Sequence, residues 1–116
     1  MVRRLVVLTA LGGLAAMLGG GQGAAAGGPE ADAARTRSVT VGDDFFRPRR
    51  ITVSRRDTVR FVWRRTRHLH NVTARGRDSR TTRRRGYVFR RRFSRTTRLV
   101  CTVHPDTMRM TVRVRR

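Results

Sequence analysis

Two short segments of the chain contain the side-chain types that bind transition metals. The first holds His68 and His70, and the second runs from Cys101 through His104 to Met108. A thiolate with two imidazoles and a weak axial thioether is the ligand set of blue-copper electron-transfer sites, because soft sulfur suits Cu(I) and imidazole suits both copper oxidation states. The two segments therefore predict a type 1 copper site that cycles one electron.

The spacing of the second segment has a physical rationale. Cys101 ends a predicted strand, and His104 and Met108 follow on a loop, so residues 101–108 bring three ligands to one end of a β-sandwich. The fourth ligand comes from a strand well upstream. Met110 is in phase with the alternating Val112 and Val114, so it is interpreted as a core residue, which leaves Met108 as the axial candidate.

The single cysteine excludes an internal disulfide. A free cysteine on a strand is often only a small buried hydrophobic residue. An exported protein, however, has little use for an unprotected thiol. The metal-ligand interpretation of Cys101 is therefore favoured.

The elements that must position these residues are short strands with period-2 alternation, separated by turn signals. The predicted strands are, in chain order, 39–41, 51–53, 59–63, 69–74, 87–93, 99–103 and 109–115. Seven short strands predict an all-β, Greek-key β-sandwich. The polar stretch 75–86 has no periodicity and is predicted to be an exposed loop.

The N-terminal residues have a different composition. Residues 1–26 combine Arg3 and Arg4 with an apolar run and end in three alanines, which is typical of a signal peptide cleaved after Ala26. The apolar run is shorter than the roughly 20 residues that a membrane span needs. The arginine pair also permits twin-arginine export, so the route stays open. Residues 27–37 are predicted to be a flexible linker and residues 38–116 the folded domain.

Charge is the other unusual property of this sequence. The formal net charge is +21, with 28 basic residues, all of them arginine, against 7 acidic ones. The excess is either a solvated surface in which Arg has replaced Lys, or a surface that recognises an acidic redox partner protein or an anionic envelope surface. Nucleic acid would bind such a charge without specificity. No nucleic-acid motif is present, so no specific nucleic-acid partner is expected.

From Val39 to Val114 the sequence resembles the cupredoxins, the family of small exported copper proteins that includes plastocyanin, pseudoazurin and amicyanin. The matching features are Val-Thr-Val at 39–41, Asp-Phe-Phe at 44–46 with Pro48, Asp-Thr-Val at 57–59 leading to Phe61 and Trp63, His-Asn-Val at 70–72, and the loop 101–108. The resemblance implies a cupredoxin-like sandwich with one copper ion per chain.

Carried over residue by residue, the resemblance makes His70 the upstream copper ligand, Cys101 the thiolate, His104 the loop imidazole and Met108 the axial thioether. Asn71 resembles the residue that ties the upstream ligand segment to the cysteine loop. His68 and His70 are two residues apart and alternation places them on one strand face, so the residues alone leave both as candidate ligands. Because Asn-Val follows His70, His70 is favoured and His68 is interpreted as a surface residue, with an auxiliary metal role as the alternative.

The sequence departs from the family in two places. Three residues separate His104 from Met108, a spacing that varies among cupredoxins. Arg55 and Arg56 stand where relatives usually have Gly or Lys, and we expect them to strain that turn or to select a different one.

The expected function is that of an exported, monomeric one-electron carrier that passes electrons through the edge of His104. Two alternatives remain: a copper carrier or buffer with the same ligands, and a basic binding module on a cupredoxin scaffold, with arginine clusters at 83–85 and 90–92. Catalysis is not expected, because the sequence offers no acidic dyad, no nucleophile paired with a base and no phosphate-cradling loop.

Overall fold

A computed structural model describes residues 33–116 of the chain, and the regular elements of this part are seven β-strands. They are β1 (Thr36–Gly42), β2 (Phe45–Arg47), β3 (Arg50–Val53), β4 (Thr58–Trp63), β5 (Val88–Arg92), β6 (Thr97–Val100) and β7 (Arg109–Val114). One sheet has the order β2-β1-β4-β5 and the other β3-β7-β6. The predicted seven-stranded, all-β sandwich is confirmed.

The predicted signal peptide, residues 1–26, lies outside the described residues, as does most of the predicted linker, 27–37. β1 begins at Thr36, so residues 36–37 belong to a strand, which pairs in parallel with β4. Within residues 33–116, no helix is long and apolar enough to cross a membrane.

Both sheets contribute to one apolar core. Alternation along β7 buries Met110 and Val112, and alternation along β4 buries Val59, Phe61 and Trp63. Leu99 of β6 and Val39 of β1 complete the contact between the two layers. Because the core lies between the sheets, the ends of the strands are left to carry the loops that bear the candidate ligands.

The segment 69–74 is not a strand, and that prediction is wrong. It makes only two isolated bridges, between His70 and Thr82 and between Thr73 and Val100. Consecutive residues His70, Asn71 and Val72 are all buried, which an alternating strand with one wet face does not allow. The backbone of His70 hydrogen-bonds to Thr82, whereas that of Thr73 hydrogen-bonds to Val100. The segment is therefore extended but belongs to neither sheet.

The other predicted strands differ from the observed ones by up to three residues at an end, and one short strand is additional. The three-residue strand β2 was not predicted, because its burial pattern is too short for alternation to reveal it. β6 ends at Val100, so Cys101 lies just beyond the strand rather than within it.

The turn at Arg55 and Arg56 shows no backbone strain. Its residues do not adopt positive φ, and the turn is closed by a hydrogen bond from the Asp57 amide to the Ser54 carbonyl. The Asp57 carboxylate accepts a second hydrogen bond, from the Ser54 amide, at 2.8 Å. A turn of this kind needs no glycine, which explains why two arginines are accommodated.

Candidate metal centre

Three predicted ligands converge at one end of the sandwich. One ligand atom each from His70, Cys101 and His104 lie within 4.8 Å of one another. The Cys101 Sγ atom is 4.0 Å from His104 Nδ1. His70 and Cys101 are fully buried, whereas 27% of the His104 side chain is exposed. The cluster is therefore closed to solvent except at the edge of His104.

The loop after β6 folds back on itself. The Cys101 amide donates a hydrogen bond to the Met108 carbonyl at 3.0 Å, and the Met108 amide donates one to the His104 carbonyl, also at 3.0 Å. Met108 is fully buried at this end, and Met110 pairs with Leu99 in the sheet core as expected. The fold therefore places Met108 beside Cys101 along the backbone, and its role as an axial ligand stays a prediction.

Asp43 orients His70, a role that the sequence analysis missed. Its Oδ1 atom accepts a hydrogen bond from His70 Nε2 at 3.0 Å. That hydrogen bond, together with those from the backbone amides of Arg67 and His68, holds the pKa of the Asp43 carboxyl far below its ordinary range. A carboxylate oxygen accepts hydrogen bonds, so Nε2 carries the hydrogen of this contact and Nδ1 is the ring nitrogen on the side away from Asp43.

The remaining ring nitrogen of His70 fits a metal ligand. Nδ1 is buried and has no hydrogen-bond partner within the described part of the chain. A buried polar atom without a partner costs free energy, and such atoms in native structures call for an explanation. An unprotonated imidazole nitrogen beside a buried thiol and a second imidazole is a donor set that suits copper.

A second carboxylate stands beside the other histidine. Asp44 Oδ1 lies 3.2 Å from His104 Nε2, the ring nitrogen away from Cys101. Asp43 and Asp44 form the two-residue turn between β1 and β2, and Asp44 adopts the left-handed conformation with φ of 67°. Aspartate is one of the few residues that tolerate this conformation. An adjacent acidic pair in so basic a sequence was the signal that would have found these two residues.

His68 lies outside the cluster that contains the thiol. Its side chain is 59% exposed, and its Nδ1 atom is 3.7 Å from Asp43 and 3.8 Å from Asp44. The structure thus separates the two histidines that alternation placed on one strand face: His70 points into the cluster and His68 toward the acidic turn.

The contact expected of Asn71 is present. Its Oδ1 atom accepts a hydrogen bond from the Thr102 amide at 2.8 Å, and its Nδ2 group donates to Thr102 Oγ1 at 2.7 Å. A third hydrogen bond, at 2.8 Å, reaches Thr81 Oγ1. One side chain therefore fixes the segment that carries His70 to the residue after Cys101.

Comparison with solved structures shows the fold. The purple cupredoxin of Nitrosopumilus maritimus matches with a TM-score of 0.60 and 15% identity, over 68% of this chain and 99% of that one. Amicyanin of Paracoccus versutus matches with a TM-score of 0.57 and 18% identity, over 69% and 81% of the two chains. The chain therefore has a cupredoxin-like fold.

A larger protein contains the same fold. The Cu-containing nitrite reductase of Thermus scotoductus matches with a TM-score of 0.59 and 18% identity over 70% of this chain, which spans only 22% of the reductase. No family model and no curated protein sequence matches the chain.

Proposed function

We propose that this protein is an exported type 1 copper protein that carries one electron at a time, with one copper ion held by His70, Cys101 and His104 and an axial contact from Met108. The observation that carries the proposal is the convergence of one thiol and two imidazoles, with His70 Nδ1 buried and without a hydrogen-bond partner among residues 33–116. Similar solved structures include a Cu-containing nitrite reductase and an amicyanin variant in its reduced Cu(I) form, which supports the choice of metal. Copper at this position would supply a one-electron couple.

The chain's own residues contribute rigidity and a route to solvent. Asp43 and Asn71 hold the His70 segment and the cysteine loop in one arrangement, so the ligands need little rearrangement between oxidation states. His104 is the partly exposed ligand. Leu69 and Val103, each next to a histidine in sequence, are the exposed large apolar residues of the described chain. Exposed apolar side chains next to the histidines suit brief contact with a redox partner.

A visible absorption titration with Cu(II) tests the ligand assignment. We expect an intense thiolate-to-copper band that saturates at one copper per chain and is absent from Cys101→Ser. His70→Gln should lose the band, and the matched variant His68→Gln should keep it. Absence of the band in folded wild-type protein, or its persistence in Cys101→Ser, would show that the proposed site is wrong.

The two hydrogen bonds between Asn71 and Thr102, called here the Thr102 clamp, favour electron transfer over copper delivery, because a delivery protein must release its metal. We expect the reduced copper form to keep its metal against a competing Cu(I) chelator through repeated redox cycles. Rapid loss of copper to the chelator in the first reduced state would instead support a copper carrier.

Export is proposed from the N-terminal sequence alone. Cleavage after Ala26 should yield a mature protein that begins at Gly27. N-terminal sequencing of the protein from the envelope and the medium checks this. An intact N-terminus on protein from the cell interior would contradict it.

A further inference from the structure

The outer face of the β3-β7-β6 sheet carries a row of two guanidinium groups around a hydroxyl group. Arg50 of β3 and Arg98 of β6 are both register partners of Thr111 on β7. Ile51, Leu99 and Met110, the next residues on the same strands, or the one before in the case of Met110, are buried. Strand alternation therefore directs Arg50, Arg98 and Thr111 outward. Because neighbouring strands lie about 4.8 Å apart, the row is about 10 Å wide at the backbone.

The row is extended along β7 by two more arginines. Arg109 and Arg113 stand two residues before and after Thr111 on the same exposed face, about 7 Å away on either side along the strand. The five residues form a cross, with the threonine at its centre and a cation at each end.

Two shallow, open grooves lie over this cross. They meet over the central row, and Arg50, Arg98 and Thr111 line both of them. Arg113 continues one groove and Arg109 the other, so together they follow β7. A chain-like ligand makes closer contact with a groove than with a flat surface.

The positive charge of this face is almost uncompensated. Among residues 33–116, the ion pairs of the structure leave Arg50, Arg98 and Arg113 with no carboxylate within 4.0 Å. Arg109 lies 3.9 Å from Asp106, but both side chains are well exposed. Like charges held close together on a rigid sheet repel one another, and a multivalent anion relieves that repulsion.

We propose that this face is a binding site for linear polyphosphate, that is, for consecutive phosphate groups in a chain. Arg50 and Arg98 would hold one phosphate by paired guanidinium hydrogen bonds, with the Thr111 hydroxyl as a third donor between them. Three donor groups match a phosphate better than the two oxygens of a carboxylate. Arg109 and Arg113 then take up the neighbouring phosphates along the strand.

The site is separate from the metal centre and does not depend on the proposed function. The register pair Val100 and Arg109 closes the sheet at the end from which Cys101 departs, and the row lies further along the strands. At that end of the cross, Arg109 donates a hydrogen bond from Nε to the Pro105 carbonyl, next to His104.

Calorimetric titration of the full chain with inorganic tripolyphosphate, at near-physiological salt, tests the proposal. We expect Arg50→Gln/Arg98→Gln to weaken binding at least tenfold. The matched control is Arg60→Gln/Arg90→Gln, which removes the same charge from a directly paired cross-strand couple on the other sheet and should change binding less than threefold. Thr111→Val, which leaves the charge unchanged, should weaken binding by threefold or more.

The other outcomes overturn the proposal. Equal losses in the two double variants would mean that the chain binds anions through its net charge and has no site. Binding to vesicles of phosphatidylglycerol and phosphatidylcholine, with none to tripolyphosphate, would assign the face to a membrane. A single-stranded oligonucleotide that binds more tightly than polyphosphate of equal charge would assign it to nucleic acid. Thermal unfolding of each variant shows that these surface changes leave the fold intact.

Discussion

Asp44 places a carboxylate oxygen 3.2 Å from Nε2 of His104, the one candidate ligand whose side chain reaches solvent. The carboxylate is held there by the turn between β1 and β2, in which Asp44 has positive φ. A fixed negative charge next to a metal ligand favours the more highly charged oxidation state of a bound ion. At the proposed copper site, the acidic turn at 43–44 would therefore affect the reduction potential as well as hold the histidines.

Replacing Asp44 by Asn should raise the reduction potential. Loss of one nearby negative charge destabilises Cu(II) relative to Cu(I), by about 30 to 60 mV for a one-electron couple. Voltammetry of the copper-loaded protein measures the shift. The control is Asp106→Asn, which removes the same charge from a side chain that is 94% exposed. Equal shifts in the two variants would mean that the effect comes from net charge and not from the position of Asp44.

Met108 and Met110 should respond differently to replacement by Leu. Both side chains are buried and the change nearly conserves volume, so each variant should lose less than about 1.5 kcal/mol of stability. Only Met108→Leu should raise the reduction potential and alter the visible spectrum, since a thioether contact is then lost. A spectrum that changes in Met110→Leu and not in Met108→Leu would reverse the assignment of the axial ligand.

Asn71→Ala should loosen the metal centre. The change removes the two hydrogen bonds that join Asn71 to Thr102, and because Thr102 is exposed, water can replace them, so the cost should be about 1 to 3 kcal/mol. Denaturant unfolding measures this loss, and transfer to a chelator should be faster. Thr81→Ala keeps the Thr102 clamp and removes one hydrogen bond of Asn71, so its effect should be much smaller. Similar effects from both variants would argue against the clamp.

Asp57 should contribute to the acid sensitivity of the fold. Burial raises the pKa of the Asp57 carboxyl, but hydrogen bonds from the backbone amides of Ser54 and Arg35 outweigh it and leave the pKa below its ordinary value. Because the folded pKa is lowered, the stabilisation is present above the unfolded pKa of about 4 and is lost as pH falls through the folded pKa.

Asp57→Asn tests this contribution. An amide can accept only one of the two hydrogen bonds and turns a donor toward the other amide, so stability at neutral pH should fall by about 1 to 3 kcal/mol. Urea unfolding of the metal-free protein between pH 3 and 7 should also show a shallower decline than wild type. Part of the decline in stability at low pH should remain in the variant, because the pKa of the Asp43 carboxyl is lowered as well. An unchanged slope, with Asp106→Asn as reference, would contradict the role of Asp57.

The local features of this protein could be predicted from the order of its residues. Alternation along 59–63 and 109–115 predicted two core strands with nearly correct bounds, because successive side chains of a strand point to opposite faces and the pattern is visible in consecutive residues. The ligands in 101–108 are also close in sequence, so a single turn of the chain brings them together. The phase of Met110 with Val112 separated it from Met108 for the same reason.

Features that depend on segments far apart in the chain became visible only in the folded structure. Whether His68 or His70 faces the thiol follows from the path of 69–74 between the sheets, which replaces strand alternation with consecutive buried residues. Asp43 and Asp44 became partners of the histidines only when the β1–β2 turn was folded against them. The cation row of Arg50 and Arg98 likewise exists only because β7 lies between two strands that are far apart in sequence. Which remote strands pair depends on the packing of the whole core, so a local sequence pattern does not predict it.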